Sequence, residues 1–364
     1  MSYINDKPVD PNLYVPVTVE ADGARFFDVR NEPFAVYGLY DYKNEPEFKR
    51  MPDYIGTSVN DGVTRLYKNT AGGRVRFCTD SSYVMIRTKM SGIAHHSHMP
   101  LTAGGGFDLY IDDAETGKST YYRTFVPPHS MKEGYESKIE FRTSEMRYIT
   151  IHFPLYSNVQ ELLIGIDDGA YVGSGLRYRD IKPVVYYGSS ITQGACASRP
   201  GNAYENYLSR MFNVDHVNLG FSGNGKAEQN ICDYLATLEM SVFVMDYDHN
   251  APNPAYLRAT HYNLYETMRK AKPKTPIIMI SAPDIAFNYP RFLERREIVR
   301  ESYNRAVANG DDRVYFIDGE TFFASDDAWD NCSVDGVHPN DLGFYRIAKG
   351  IAPLLEKALE KVEN

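Results

Sequence analysis

Hydrophobic positions in the first 175 residues come in short runs that alternate or cluster, each bounded by turn-forming residues. Arg25–Val29, Phe34–Gly38, Tyr83–Arg87, Phe107–Ile111, Tyr121–Phe125 and Tyr148–His152 have this form, with turn signals such as Ala71-Gly72-Gly73 and Asp112-Asp113-Ala114 between them. Short strands in this rhythm predict a β-sandwich, and no long amphipathic helix interrupts it. After Gly175 the pattern changes. Strand-like runs at Val184–Tyr187, His216–Leu219, Val242–Asp246, Pro276–Ile280 and Val314–Asp318 alternate with helical stretches at Ala203–Phe212, Ala227–Leu238, Pro254–Ala271 and Arg291–Ala308, and Asp341–Lys361 closes the series. The helical stretches carry stripes at three- and four-residue spacing, as in Leu257, Leu264 and Met268, with His261 on the same face. Regular alternation of this kind predicts a parallel sheet covered on both faces, whose ligands bind at the C-terminal ends of the strands. The expected division is therefore a β-sandwich over residues 1–175 and an α/β domain over residues 176–364, without repeats or low-complexity linkers.

Whole-chain quantities narrow the functional classes. A net charge of -9 argues against a nucleic-acid or anionic-membrane partner, since phosphates require clustered Lys and Arg. No apolar run approaches the roughly 20 residues of a membrane span. Met1–Lys7 has neither a basic nor an apolar leader segment, so the expected location is cytoplasmic unless a signal peptide has been removed. Cys78, Cys196, Cys232 and Cys332 are widely spaced and form no C-x-x-C pair, which reads as free buried thiols. Cys196, near the serine turn described next, is taken as packing. The 29 tyrosines suit a sugar-binding surface, but tyrosine is equally a good strand residue, and that explains most of them.

Four segments can carry chemistry, and three of them fall at strand ends. Gly188-Ser189-Ser190-Ile191-Thr192-Gln193-Gly194 follows the first parallel strand. A serine in such a turn exposes its hydroxyl and places backbone N–H groups and a helix start beside any developing oxyanion. It is neither the G-x-S-x-G elbow nor a P-loop. Asn218–Gly225 closes the second strand with three glycines, whose N–H groups can face a cavity. Val244–Asn250 ends the third, and a side-chain amide there can donate to the same oxyanion. Asp246, Asp248 and His249 also invite a metal reading, but no second ligand cluster accompanies them. Asp335-Gly336-Val337-His338 offers a base and a carboxylate to fix its tautomer, ahead of a helix start at Pro339-Asn340-Asp341. His95, His96 and His98 form a further cluster in the β region, read as a surface loop, with a metal site or a role in the catalytic cleft as alternatives.

With four blocks in this order, the chain resembles the SGNH (GDSL-type) hydrolase superfamily over about residues 180–360. Ser190 matches the nucleophile, Gly223 the oxyanion glycine, Asn250 the oxyanion amide, His338 the base and Asp335 its partner. Ser189 stands where the superfamily usually carries an acidic residue, so two serines share the turn. Asp246–Asn250 is closer to an Asp-x-x-x-Asn form than to Gly-x-Asn-Asp. Gly106-Phe107-Asp108-Leu109-Tyr110 fits the Gly-x-Asp-Leu-Tyr signature of a bacterial branch with an N-terminal β-sandwich. The resemblance implies an α/β chain: a flavodoxin-like three-layer α/β/α hydrolase domain behind a jelly-roll-like β-sandwich, with no cofactor and no metal. It implies a serine esterase acting on acetylated or otherwise short-acylated carbohydrate, a small-molecule or oligosaccharide ester, with a homo-oligomer left open. A lysophospholipase or thioesterase, an inactive carbohydrate-binding protein and an FMN-binding flavodoxin are the alternatives.

Overall fold

The computed structural model describes residues 3–4, 7–8, 10, 13–93, 95–283, 289–324 and 329–363. The chain forms two compact units. One takes Met1–Lys49 and Lys68–Arg177, the other Arg50–Tyr67 and Tyr178–Asn364.

The first unit is antiparallel. A two-residue pair, β1 (Tyr3–Ile4) and β2 (Lys7–Pro8), precedes β3 (Ala24–Asp28), β4 (Ala35–Tyr37), β5 (Arg74–Thr79) and β6 (Tyr83–Ser91). After them come β7 (Phe107–Asp112), β8 (Ser119–Phe125), β9 (Glu136–Glu140), β10 (Arg147–His152), β11 (Asn158–Asp167) and β12 (Val172–Ser174). One sheet runs β12-β5-β10-β7-β8 with β4 also on β5, and the other runs β3-β11-β6-β9. Their inward side chains meet in one core. Val75, Phe77, Leu109, Ile149 and Ile151 come from the first sheet, and Val84, Ile86, Leu162, Ile164 and Ile166 from the second. This is a β-sandwich, with period-two strands giving one face to the core.

On the other face of β5, arginines replace the usual surface residues and are buried. Arg76 pairs with Asp112 of β7 at 3.0 Å, and Thr150 of β10 donates to the same carboxylate at 2.6 Å. Asp108, the acidic residue of the Gly-x-Asp-Leu-Tyr signature, lies 2.8 Å from His152 Nδ1 across the β7–β10 ladder. The signature aspartate therefore sits in a buried polar row of the sandwich.

The second unit contains a five-stranded parallel sheet. Its strands are β13 (Val184–Gly188), β14 (His216–Gly220), β15 (Val242–Asp246), β16 (Ile277–Ile280) and β17 (Val314–Ile317), in the order β14-β13-β15-β16-β17. Every residue of β13, β15 and β16 is buried, as expected of parallel strands covered on both faces. That order is the flavodoxin-like one, with the topological switch beside the first strand. Two short helices, α1 (Asp53–Gly56) and α2 (Asp61–Leu66), belong to this unit, while α3 (Leu101–Gly104) belongs to the sandwich. The remaining helices are α4 (Ser190–Gln193), α5 (Tyr204–Phe212), α6 (Gln229–Thr237), α7 (Pro254–Ala271), α8 (Tyr289–Ala308) and α9 (Asp341–Glu363).

Helix α7 shows how local sequence sets these elements. Asn253 accepts the Tyr256 N–H as N-cap, Pro254 occupies the first turn, and Leu257, His261, Leu264 and Met268 are buried along one face. His261 stacks on Tyr247 at 5.7 Å, and burial pushes its pKa down to about 3. Among the described residues, no helix is long and apolar enough to cross a membrane.

Candidate active site

Strand β13 ends where a side chain would not fit. A Cβ on Gly188 would lie 2.0 Å from Thr192 Oγ1 and 2.3 Å from the Asp246 carbonyl oxygen. The chain turns there and starts α4. The two adjacent serines then take different partners. Ser189 caps α4, its Oγ accepting the Ile191 N–H at 3.1 Å. Ser190, the first residue of α4, has its Oγ 3.0 Å from His338 Nε2. Helix α4 is a single turn ending at Gly194, so what it can offer an anion is individual N–H groups rather than a long macrodipole.

His338 Nδ1 lies 2.7 Å from Asp335 Oδ2, while Asp335 Oδ1 accepts the backbone N–H groups of Val337 and His338 at 3.0 and 2.8 Å. Burial pushes the Asp335 carboxyl up. The His338 N–H, the His338 ring and the Val337 N–H outweigh it and hold the pKa below the ordinary carboxylate value. Asp335 is thus ionised at neutral pH and fixes the ring. The loop itself is braced. Val334 donates to the His338 carbonyl at 2.9 Å and Asn340 to the Cys332 carbonyl at 3.0 Å, next to the Ser333–Pro339 bridge. Asn340 Oδ1 accepts the Gly343 N–H at the start of α9. The Asp341 carboxylate accepts the Ser198 N–H at 2.8 Å and the Ser198 hydroxyl, which anchors the Asp335–His338 loop to the segment after the serine.

Gly223 sits in the turn after β14 at φ +70°, a conformation that favours glycine, and is exposed. The Asn224 and Gly225 N–H groups close the turn on the Phe221 carbonyl at 2.8 and 3.0 Å. Two bonds pull the turn toward the serine. Phe221 N–H donates to the Gly188 carbonyl at 3.0 Å, and Ser222 N–H to Gln193 Oε1 at 3.0 Å. Asn250 joins from the end of β15, its Nδ2 donating to the same Phe221 carbonyl at 2.9 Å. A primary amide has two N–H donors, and this bond uses one. Ser190, Asp335 and His338 are therefore linked side chain to side chain. Asn250 is hydrogen-bonded to the Gly223 turn, which is itself hydrogen-bonded to the strand end carrying Ser190.

Some supporting residues gave no sequence signal. Arg50 is buried, and its guanidinium donates to the carbonyls of Asn218 (3.3 Å), Gly220 (2.5 Å) and Leu66 (2.7 Å), with Phe221 beneath it at 4.6 Å. It fixes the end of β14, from which the Gly223 turn departs. Asn218 bridges that strand to α4, donating to the Thr192 carbonyl at 2.6 Å and accepting the Gly220 N–H at 2.9 Å. Asn218 and Gln193 lie within two of the strand-end segments, but only the fold reveals their partners.

The Asp246 carboxylate accepts hydroxyls from Thr192 and Tyr204, Asp248 accepts the Ala282 N–H at 2.8 Å, and the His249 ring packs on Phe292 at 4.9 Å. These three thus turn to separate partners. All four cysteines are free and buried. Cys196 takes a left-handed conformation at φ 72°, and burial, with Asp335 nearby, pushes its thiol up to about 12, which disfavours a thiolate. In the sandwich unit, His95, His96 and His98 are exposed. His95 lies against His129 at 5.7 Å, and His96 against Tyr156 at 5.9 Å and His98 at 6.0 Å. Burial, then His98 and His95, lower the His96 pKa.

A flavodoxin-ordered parallel sheet with these loops at its strand ends, in a chain that also carries an antiparallel sandwich, defines a class of hydrolase, and comparison with known proteins agrees. Residues 181–356 match the model of the GDSL-like Lipase/Acylhydrolase family, and residues 24–172 match GxDLY, the N-terminus of Esterase_SGNH_hydro-type. The chain belongs to the GDSL/SGNH-type hydrolase superfamily and carries its GxDLY N-terminal domain. Among solved structures, a protein named as a GDSL-like lipase from Bacteroides ovatus ATCC 8483 is 27% identical with a TM-score of 0.83, over 93% of this chain and 98% of that one. The salicylyl-acyltransferase SsfX3 from a tetracycline biosynthetic pathway is 18% identical, TM-score 0.73, over 93% and 98%. A family two carbohydrate esterase from Clostridium thermocellum, in complex with cellohexaose, is 13% identical, TM-score 0.60, over 90% and 99%. The last two likenesses are of fold. No protein of curated function matches the chain.

Proposed function

We propose that the protein is a serine esterase that removes short acyl groups, acetyl foremost, from carbohydrate hydroxyls. The observation that carries this reading is the unbroken path from Ser190 Oγ to His338 Nε2 (3.0 Å) and from His338 Nδ1 to Asp335 (2.7 Å). Ser190 Oγ attacks the ester carbonyl and passes its proton to His338 Nε2. Ionised Asp335 keeps the Nδ1 proton in place and stabilises the imidazolium. The N–H groups of Ser190 and Gly223 and the Asn250 amide receive the oxyanion. The tetrahedral intermediate collapses, the C–O bond to the sugar breaks, and His338 gives its proton to the departing hydroxyl. Water then attacks the acyl-enzyme, His338 takes its proton, and the carboxylic acid leaves as Ser190 regains the hydrogen. The carbohydrate leaving group is inferred from the relatedness of the fold to carbohydrate esterases.

Initial rates on p-nitrophenyl acetate, butyrate and octanoate, together with acetate release from acetylated oligosaccharides, test the reading. The expected order falls from acetate to octanoate, with acetate released from the sugar. A maximum at octanoate would point to a lysophospholipase or thioesterase. Glycan binding without acetate release would mean a binding protein. Replacing Asn250 with alanine is expected to lower kcat by about 10²–10³ with little change in KM, as for loss of one oxyanion donor. Full turnover by that variant would remove Asn250 from the oxyanion site.

A further inference from the structure

Asp246 ends β15, and none of the steps above uses its side chain. We propose that Asp246 is a positioning residue that locks the turn carrying Ser190 to the segment carrying Asn250. The inference rests on the esterase reading of that site and adds a determinant of its geometry.

The lock consists of side-chain and backbone bonds at one point. Asp246 Oδ2 accepts the Thr192 hydroxyl at 3.0 Å and the Tyr204 hydroxyl at 3.1 Å. Its backbone carbonyl accepts the Ser189 N–H at 3.1 Å. Gly188 and Asp246 face each other in the β13–β15 register, and the absent side chain at Gly188 lets Thr192 reach Asp246. The Thr192 carbonyl is held from the other side by Asn218. Ser190 thus sits between an anchored Ser189 and a doubly anchored Thr192, and its Oγ has little freedom to drift from His338. Asn250 follows four residues after Asp246, past Tyr247 and a turn whose Asp248 is held by the Ala282 N–H. A shift at Asp246 therefore moves the nucleophile turn and the oxyanion amide together.

The protonation state fits this role. Burial first, then Asp248, push the Asp246 pKa up to about 8, against the hydroxyls of Thr192 and Tyr204, which lower it. The titratable groups facing it are Asp248 on its own strand end, pushed up to about 6, and Tyr204 and Glu205 on α5. Arg50 acts on Glu205 as the nearby cation. At pH 7 Asp246 is neutral in the fold. As pH rises through about 8 it would become a buried anion beside ionised Asp248, a state that β15 can relieve only by admitting water or moving its end.

The test uses the full chain and p-nitrophenyl acetate at about 20 °C, with folding of each variant checked by circular dichroism. Asp246→Ala is expected to lower kcat by about 10- to 100-fold with KM within about twofold, the size of a sub-ångström to 1 Å misplacement. Asp246→Asn copies the neutral acid and is expected to stay within about threefold of wild type at pH 7. It should lack the decline in kcat above about pH 8 that is expected of wild type. Thr192→Val provides a milder version should the alanine variant fail to fold, with kcat again falling while KM holds. Wild-type kcat in folded Asp246→Ala or Thr192→Val, with Ser190→Ala inactive, would overturn the inference and leave the esterase reading standing. An alkaline decline unchanged in Asp246→Asn would overturn the protonation assignment. Activity surviving in Ser190→Ala would instead overturn the assignment of Ser190 as nucleophile, on which the inference rests.

Discussion

Ser190→Ala is expected to lower kcat/KM for p-nitrophenyl acetate by at least about 10⁴-fold while leaving thermal stability within a few degrees of wild type. The size follows from the chemistry. Removing a triad member leaves only the oxyanion donors and binding, a residual of about 10³–10⁴ over water out of a far larger enhancement. The small stability effect follows from the structure, because Ser190 Oγ bonds to His338 at the mouth of the base loop and the loop has its own braces at Val334, Asn340 and Asp341. Ser189→Ala is the informative control. It removes the cap on α4, a change of about 1 kcal/mol, and should leave measurable turnover. The opposite ranking of the two variants in a steady-state assay would transfer the nucleophile to Ser189.

The second large effect concerns stability. Arg50→Ala is expected to destabilise the protein by about 3–5 kcal/mol, because three backbone carbonyls around a buried guanidinium lose a charged donor at once. For a unit of this size that is a fall in Tm on the order of 10 °C, readable by differential scanning calorimetry. Turnover should fall as well at temperatures where the variant is folded, because Gly220 and Phe221 lead directly into the Gly223 turn. An unchanged Tm would mean that water replaces the guanidinium without cost.

The parallel sheet was the most legible part of the chain. Val184–Tyr187 and Val242–Asp246 are continuous apolar runs because both faces of those strands are covered, and runs that short between turn signals fit buried strands better than helices. The stripe of α7 was legible because its apolar residues repeat at helical spacing over five turns. Two inner strands of the sandwich were not. In β5, Arg74 and Arg76 stand at positions that read as surface, yet both are buried, Arg76 through its pair with Asp112 on a strand more than thirty residues away. Asn158–Asp167, a central strand of the second sheet, carries Gln160 and Glu161 and a register shift between Val159 and Glu161, which obscure its alternation. At the site, the four blocks could be found because each is a local cluster of special residue types at a strand end or helix start. What links them could not, because Arg50 and its acceptors on β14 are about 170 residues apart and a lone arginine has no signature.

The same separation governs how the molecule can be made and cut. Residues 50–67 leave the ribosome more than a hundred residues before the rest of the unit they complete. Met51, Ile55, Val63 and Tyr67 then bury themselves in the core built around the parallel sheet. Until the later strands exist, those side chains have no partner, so this unit cannot fold in the order of its synthesis. Nor is it a cassette. A gene fragment beginning at residue 178 would encode all five parallel strands but leave an unfilled apolar surface and unanswered carbonyls where α1, α2 and Arg50 belong. Such a fragment is expected to appear in the insoluble fraction on expression. Co-expression with a peptide of residues 50–67 would be the way to recover it, which makes the parallel-sheet unit of this chain a natural candidate for fragment complementation.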